Sequence, residues 1–313
     1  MLGKNAGGLF WMFRYLERSE NMARLINAGF RMALTRSSLA SDEWASVLKT
    51  AGHEAAYFER YDTVDAAKVI DFLLRDKSNA MSVLCVTETA RNNARMVRTA
   101  LTQEVWEATN ECWITLKSVL TRPVREKDLP NVLGIVRQQS ALVRGALHGT
   151  MLRNDTYQFA RMGTFVERAD NTARILDVKY YVLLPSVSHV GTSLDNVQWE
   201  TILRSVSALR AFGWVSEGDI GPKAIANFLI LDRRLPRSLA FCYEQLLMLT
   251  QRLVDEYGEE MPSLAMVKAQ NHRLSASKID DIFDTGLHEF LQGFLRENNA
   301  YAVQIERDYR FYG

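Results

Sequence analysis

Cysteine is scarce. Only Cys85, Cys112 and Cys242 occur in 313 residues, and no two are spaced as a redox pair or zinc knuckle. Each lies in an apolar, helix-patterned stretch, which reads as a reduced thiol in a cytoplasmic protein. Long hydrophobic runs are missing: nothing approaches about 18 uncharged apolar residues, so no membrane span is expected. Near the N-terminus, Arg14 and Glu17 interrupt any apolar core that a secretory leader would need. The net charge of +1 lacks the basic excess of a nucleic-acid binder. None of the five histidines (His53, His148, His189, His272, His288) follows a glutamate by three residues. A di-iron bundle site of the Glu-x-x-His kind is thereby excluded. No close His or Cys pair suggests zinc, so no metal or cofactor is expected. There is no G-x-S-x-G elbow, no P-loop and no G-x-G-x-x-G.

Glycine and proline are also few, at 17 and 6. Val-rich alternating segments bounded by turns, the mark of strands, are lacking. What remains is helix. Leu9, Met12, Phe13, Leu16, Ala23, Ile26 and Phe30 recur at three- and four-residue spacing and form one apolar stripe. Residues 64–75, 78–102, 104–121 and 130–150 show the same pattern. Thr63 and Ser41-Asp42 offer N-caps, and Ser82 and Ser238 fall near helix starts as caps. Pro123, Pro130, Pro185, Pro222, Pro236 and Pro262 fall at breaks or near helix starts. The most loop-like segments are 121–130 and 185–194. The tryptophans Trp11, Trp44, Trp106, Trp113, Trp199 and Trp214 sit within helical patterns and read mostly as core.

The chain also contains an internal repeat. Residues 12–27, MFRYLERSENMARLIN, return at an offset of 150 as 162–177, MGTFVERADNTARILD, with six of sixteen positions identical. The identities include Glu17/Glu167, Arg18/Arg168, Asn21/Asn171 and Arg24/Arg174, and Glu20 returns as Asp170. Downstream, Trp44-Ala45-Ser46-Val47-Leu48-Lys49 parallels Trp199-Glu200-Thr201-Ile202-Leu203-Arg204 at an offset of 155. Asp71-Phe72-Leu73-Leu74 parallels Asn227-Phe228-Leu229-Ile230, with Ser82 on Ser238, at an offset of 156. The period is too long for a solenoid, whose units run about 20–50 residues. The expectation is an all-α helical bundle built from two tandem repeats of one multi-helix unit, residues 1–150 and 151–313, packed as one assembly.

A duplicated helix need only repeat its apolar stripe to fold, yet here the polar groups repeat in register. At about 100° per residue from Leu16, Glu20 lies about 40° from the stripe centre, Arg24 about 80°, Glu17 about 100° and Asn21 about 140°. Glu20/Arg24 and Glu17/Asn21 are i,i+4 pairs, as are Asp170/Arg174 and Glu167/Asn171. Carboxylates at the rim of a core need partners. Arg91, Arg95 and Arg98, at i, i+4 and i+7 on one face, are candidate counter-ions or an anion or peptide-carboxylate site. The candidate polar cluster is Glu17, Arg18, Glu20, Asn21, Arg24, Glu167, Arg168, Asp170, Asn171 and Arg174, with Arg91, Arg95 and Arg98. It serves either as a network fixing how the repeats pack or as a binding or catalytic site. A carboxylate-only metal site at Glu17, Glu20, Glu167 and Asp170 is a further alternative.

The run W-M-F-R-Y-L-E-R-S-E-N-M-A-R-L, the run E-R-A-D-N-T-A-R-I-L-D-V-K-Y-Y and the segment R-N-N-A-R-M-V-R resemble the alpha-E domain family, also catalogued as DUF403. Glu104, Trp106, Asn110, Leu231-Asp232 and Pro236-Arg237-Ser238 match it as well. Two departures stand out. Asn79-Ala80-Met81-Ser82 lacks the proline expected before the serine, and Gly163-Thr164 replaces Phe13-Arg14 of the first copy. The resemblance implies an all-helical protein with a Glu-Arg motif and a tandem duplication. It also implies a peptide synthesis or modification system with a circularly permuted ATP-grasp ligase, transglutaminase-like proteins and an N-terminal-nucleophile peptidase. No activity is implied for the helical chain itself, which would be an accessory, scaffold or substrate-holding component. The alternative is a stand-alone enzyme or ligand-binding protein using the Glu-Arg cluster for acid-base or anion-binding chemistry.

Overall fold

The computed structural model describes residues 3–35, 40–182, 193–216 and 221–312. The expected loop at 185–194 lies almost wholly outside them. Among the described residues the chain is helical throughout, with no strand. The first helices are α1 (Gly3–Thr35), α2 (Ala40–Ala51), α3 (Glu54–Phe58), α4 (Ala66–Leu74), α5 (Val83–Met96), α6 (Gln103–Val119) and α7 (Leu129–Thr150). There follow α8 (Asp155–Val182), α9 (Ser193–Ser205), α10 (Leu209–Val215) and α11 (Pro222–Ile230). The last are α12 (Leu239–Tyr257), α13 (Pro262–Ala276), α14 (Ile279–Thr285) and α15 (Leu287–Asp308). None of these is long and apolar enough to cross a membrane.

Contacts divide the chain into two compact units, residues 1–164 with 310–313, and residues 165–309. In the first, α1 is the central helix, packed against α2, α5 and α7. That position explains its composition. A helix walled in on several sides buries most of its circumference, not one stripe. Leu9, Phe10, Met12, Phe13, Leu16, Ala23 and Ile26 are buried, and so are Glu17, Ser19, Glu20 and Asn21. Trp44 of α2 completes the core beside it. In the second unit α12 packs on α13, and α13 and α14 on α15. Trp199 is buried here as Trp44 is in the first unit, whereas Trp214 is 81% exposed and is not core.

Helix starts follow local chemistry. Asp65, not Thr63, caps α4 by accepting from the Lys68 amide at 3.0 Å. Ser82, Thr102 and Ser238 cap α5, α6 and α12 in the same way. Pro130, Pro222 and Pro262 occupy the first turns of α7, α11 and α13, where a missing amide hydrogen costs little. Gly258 ends α12 in the left-handed region at φ 71°. The expected continuous helix over 78–102 is instead a tight turn through residues 75–82 followed by α5. Asp76 Oδ1 accepts the Ser78 amide at 2.9 Å, and the Asn79 amide side chain donates to the Phe72 carbonyl at 3.0 Å. Such side-chain bonds offer the backbone an alternative to helix.

One turn chemistry occurs in both units. Asp232 Oδ1 accepts the Arg234 amide at 2.8 Å, as Asp76 accepts that of Ser78. Ser238 N donates to the Leu235 carbonyl at 3.0 Å, as Ser82 N donates to Asn79 at 2.9 Å. The turn therefore forms without the proline that Asn79-Ala80-Met81-Ser82 lacks. The bidentate guanidinium of Arg234 holds the Asp232 carboxyl below the usual carboxylate range.

Candidate functional site

The polar residues of α1 meet α7. Glu20 is fully buried, and its Oε1 accepts from Arg24 Nε at 3.1 Å and from the terminal nitrogen of Arg24 at 2.5 Å. Its other oxygen accepts from Arg144 of α7. The same Arg144 nitrogen lies 3.6 Å from Glu17, which is 1% exposed. One level along, the Ser140 hydroxyl donates to the Leu16 carbonyl at 3.5 Å. Glu17 and Glu20 lie deeper than the α1 stripe alone implies, because α7 covers the flank that the helical wheel left open.

Arg144 carried no signal in the sequence. It belongs neither to the repeated segment nor to the arginine stripe of α5. Arg91, Arg95 and Arg98 are engaged elsewhere or exposed. Arg91 Nε donates to Asn110 of α6 at 2.7 Å, Arg98 lies over the Trp106 ring at 5.2 Å, and Arg95 projects into solvent. Arg24 and Arg144 are thus direct partners of the buried carboxylates. Arg137 is one turn-pair from Arg144 on α7 and bonds the Leu133 carbonyl at 3.2 Å. Burial and the Arg24 guanidinium hold it below the usual arginine range; Glu20 acts in the opposite direction, and Arg31 adds to the lowering.

The arginines of the Glu-Arg pairs in the repeated segment, Arg18 and Arg168, brace matching turns. Arg18 donates to Met81 Sδ at 3.0 Å, just before the Ser82 cap. Arg168 donates to the Pro236 carbonyl at 3.3 Å, just before the Ser238 cap. Thr172 Oγ1 adds a bond to the Arg237 carbonyl at 2.8 Å. Each motif arginine thus ties a long central helix to the corner between two shorter ones.

The remaining groups differ between the units. Asp170 and Arg174 form a pair at 2.6 Å, but Arg174 is 47% exposed. Glu167 and Arg168 are buried at 5% and 8%, and Asn171 is half-buried. The contrast has a source in α15. Asn298 donates to the Val166 carbonyl at 3.1 Å, the place that Ser140 takes at Leu16. Four residues on, α7 carries Arg144 whereas α15 carries buried Ala302. Asp170 is half-buried and pairs with the more exposed Arg174. Asp177, further along α8, accepts from Gln292 at 2.7 Å and meets His288 Nδ1 at 2.5 Å.

Chemically, this arrangement binds and holds. Both oxygens of Glu20 already face guanidiniums. Ser82 and Ser238 are occupied as caps. Burial pushes the Cys112 thiol up to about 12. Among the described residues no three His, Cys, Asp or Glu side chains converge to hold a metal ion.

Comparison with known proteins adds a family. No curated protein matches the chain, and no solved structure does. A family model covers residues 1–310, and its description is a predicted alpha-helical domain with a conserved ER motif. Glu17-Arg18 and Glu167-Arg168 are the Glu-Arg pairs that recur in register, beside Glu59-Arg60 and Glu306-Arg307 elsewhere in the sequence, and the chain belongs to the Alpha-E family.

Proposed function

We propose that this protein is an accessory, scaffold or substrate-holding component of a peptide synthesis or modification system. In this reading it works with a circularly permuted ATP-grasp ligase and transglutaminase-like proteins, and a peptide is the substrate in hand. The partners come from the family resemblance. The support from the molecule is the occupation of the Glu-Arg residues. Glu20 is consumed by Arg24 and Arg144, and Arg18 and Arg168 brace turns. A general base must reach its proton within hydrogen-bond distance, and a carboxylate sealed between two guanidiniums offers no such approach.

The chain is further proposed to be a tandem duplication of one helical unit, residues 1–150 and 151–313. What supports this is the pair of turns at Asp76–Ser82 and Asp232–Ser238, which share turn bonds at one offset, 156, each with an arginine of the repeated segment, Arg18 or Arg168, bonded to it. Loss of Arg144 from one copy, or its gain by the other, then accounts for the greater exposure of the Asp170–Arg174 pair than of Glu20–Arg24.

Native purification from source cells tests the accessory role. Stoichiometric recovery of an ATP-grasp or transglutaminase-like protein, identified by mass spectrometry, is the expected result. Recovery of the chain alone would refute it. Reconstituted with that ligase, the paired substitutions Glu17→Gln and Glu167→Gln should lower stability and leave turnover per folded protein unchanged. Lost turnover in a folded variant would restore the enzyme reading.

A further inference from the structure

We infer that Arg24, Arg31, Arg137 and Arg144, on the facing surfaces of α1 and α7, form a binding site for a small oxyanion, a phosphate or a carboxylate. The inference stands whether or not the chain works with a ligase. It begins with spacing. Arg24 and Arg31 are seven residues apart on α1, as are Arg137 and Arg144 on α7, so each pair lies on one helical face. Arg144 meets Glu17 and Glu20. Arg137, earlier in α7, is within electrostatic reach of Arg24 and Arg31, later in α1, and α1 packs along α7. The two helices therefore run antiparallel here, and the two arginine pairs meet in one row.

Charge then decides. The carboxylates described against this row, Glu17 and Glu20, sit at the Arg144 end. Glu20 neutralises Arg24 and Arg144 there. At the other end Arg137 uses only Nε, on a backbone carbonyl, and its two terminal nitrogens carry no bond. Arg31 is exposed and makes no bond. Like charges brought together on a partly buried surface are unfavourable unless an anion lies between them. A guanidinium fork with free terminal nitrogens matches two oxygens of a carboxylate or phosphate. Glu20 takes the role of an anchor, fixing Arg24 and Arg144 at one end of the arginine row.

The test is isothermal titration calorimetry of the full chain with inorganic phosphate and, separately, with N-acetylglycine. Ionic strength is held constant with chloride, because exposed charges are screened. Saturable binding of at least one anion is expected, weakened by about tenfold or more in Arg31→Ala/Arg137→Ala. Phosphate alone binding would identify a phosphorylated ligand, and N-acetylglycine alone a peptide carboxylate; either supports the site. Arg125→Ala, an exposed arginine paired with Asp128, should bind as the unmodified chain does. If the double variant fails to fold, exposed Arg31→Ala carries the comparison and should weaken binding by about threefold. Heats indistinguishable from dilution for both anions would overturn the inference, as would unchanged affinity in the arginine variants.

Discussion

Replacing Arg144 with alanine should destabilise the protein far more than replacing Arg174, although Arg24 and Arg174 are counterparts and both carboxylate pairs sit at one place in the repeat. Glu20 is fully buried, and the side chains of Arg144 and Arg24 are 20% and 16% exposed. Removing one partner of a buried ion pair costs about 3–5 kcal/mol, because the remaining charge stays desolvated. Arg24 still holds one oxygen of Glu20, so the lower end applies, about 3 kcal/mol. Arg174 is 47% exposed and its partner Asp170 17%. Exposed pairs contribute about 0.2–1 kcal/mol, and arginine and alanine differ little in helix propensity. Urea unfolding followed by circular dichroism measures both, read as a shift in midpoint at unchanged slope. In thermal unfolding the Arg144 variant should lose about 6–12 °C, at about 2–4 °C per kcal/mol for a unit of this size. Equal losses in the two variants, or a loss below about 1 kcal/mol for Arg144→Ala, would refute the claim that α7 closes a buried cluster over α1.

Two further outcomes are expected. A Cβ on Gly163 would lie 2.0 Å from the Phe10 carbonyl oxygen and 3.2 Å from the Arg14 amide nitrogen. Backbone cannot yield as a side chain can, so Gly163→Ala should destabilise by about 2 kcal/mol despite the helix preference of alanine. Gly145→Ala, which meets nothing within 4 Å, should stabilise by about 0.5–1 kcal/mol, and thermal unfolding of the pair reads the difference. Alkaline pH gives the second outcome. Burial raises the hydroxyls of Tyr243, Tyr301 and Tyr309 above their usual value, Tyr309 to about 12. Their neutral forms are favoured in the folded state, so the stability they lend is complete below pH 10 and falls as pH rises past it. Tyrosinate absorbance during alkaline titration should lag behind free tyrosine and then rise together with unfolding. A smooth titration of all eleven tyrosines near pH 10 in folded protein would contradict this.

The sequence by itself determined the all-helical character and the family. Period-3.6 apolar spacing and the lack of strand signals are local properties, and the Glu-Arg runs match the family model directly. It also marked the caps at Ser82 and Ser238, since a cap is built from residues three apart. The departure at Gly163 was visible as a letter but had no reason until α8 was seen to cross the α1 backbone there. Only the tertiary structure decided which groups answer the buried carboxylates. Arg144 lies 124 residues from Glu20, and no periodicity within α1 or α7 points from one to the other. The arginine stripe of α5 looked better on spacing alone, yet its side chains turn to Asn110, to Trp106 and to solvent. The repeated segments share an apolar stripe because it is set locally. How deeply the carboxylate of Glu20 or Asp170 is sealed differs with the residue that a distant helix brings, Arg144 in one unit and Ala302 in the other, because desolvation is a property of what packs on top.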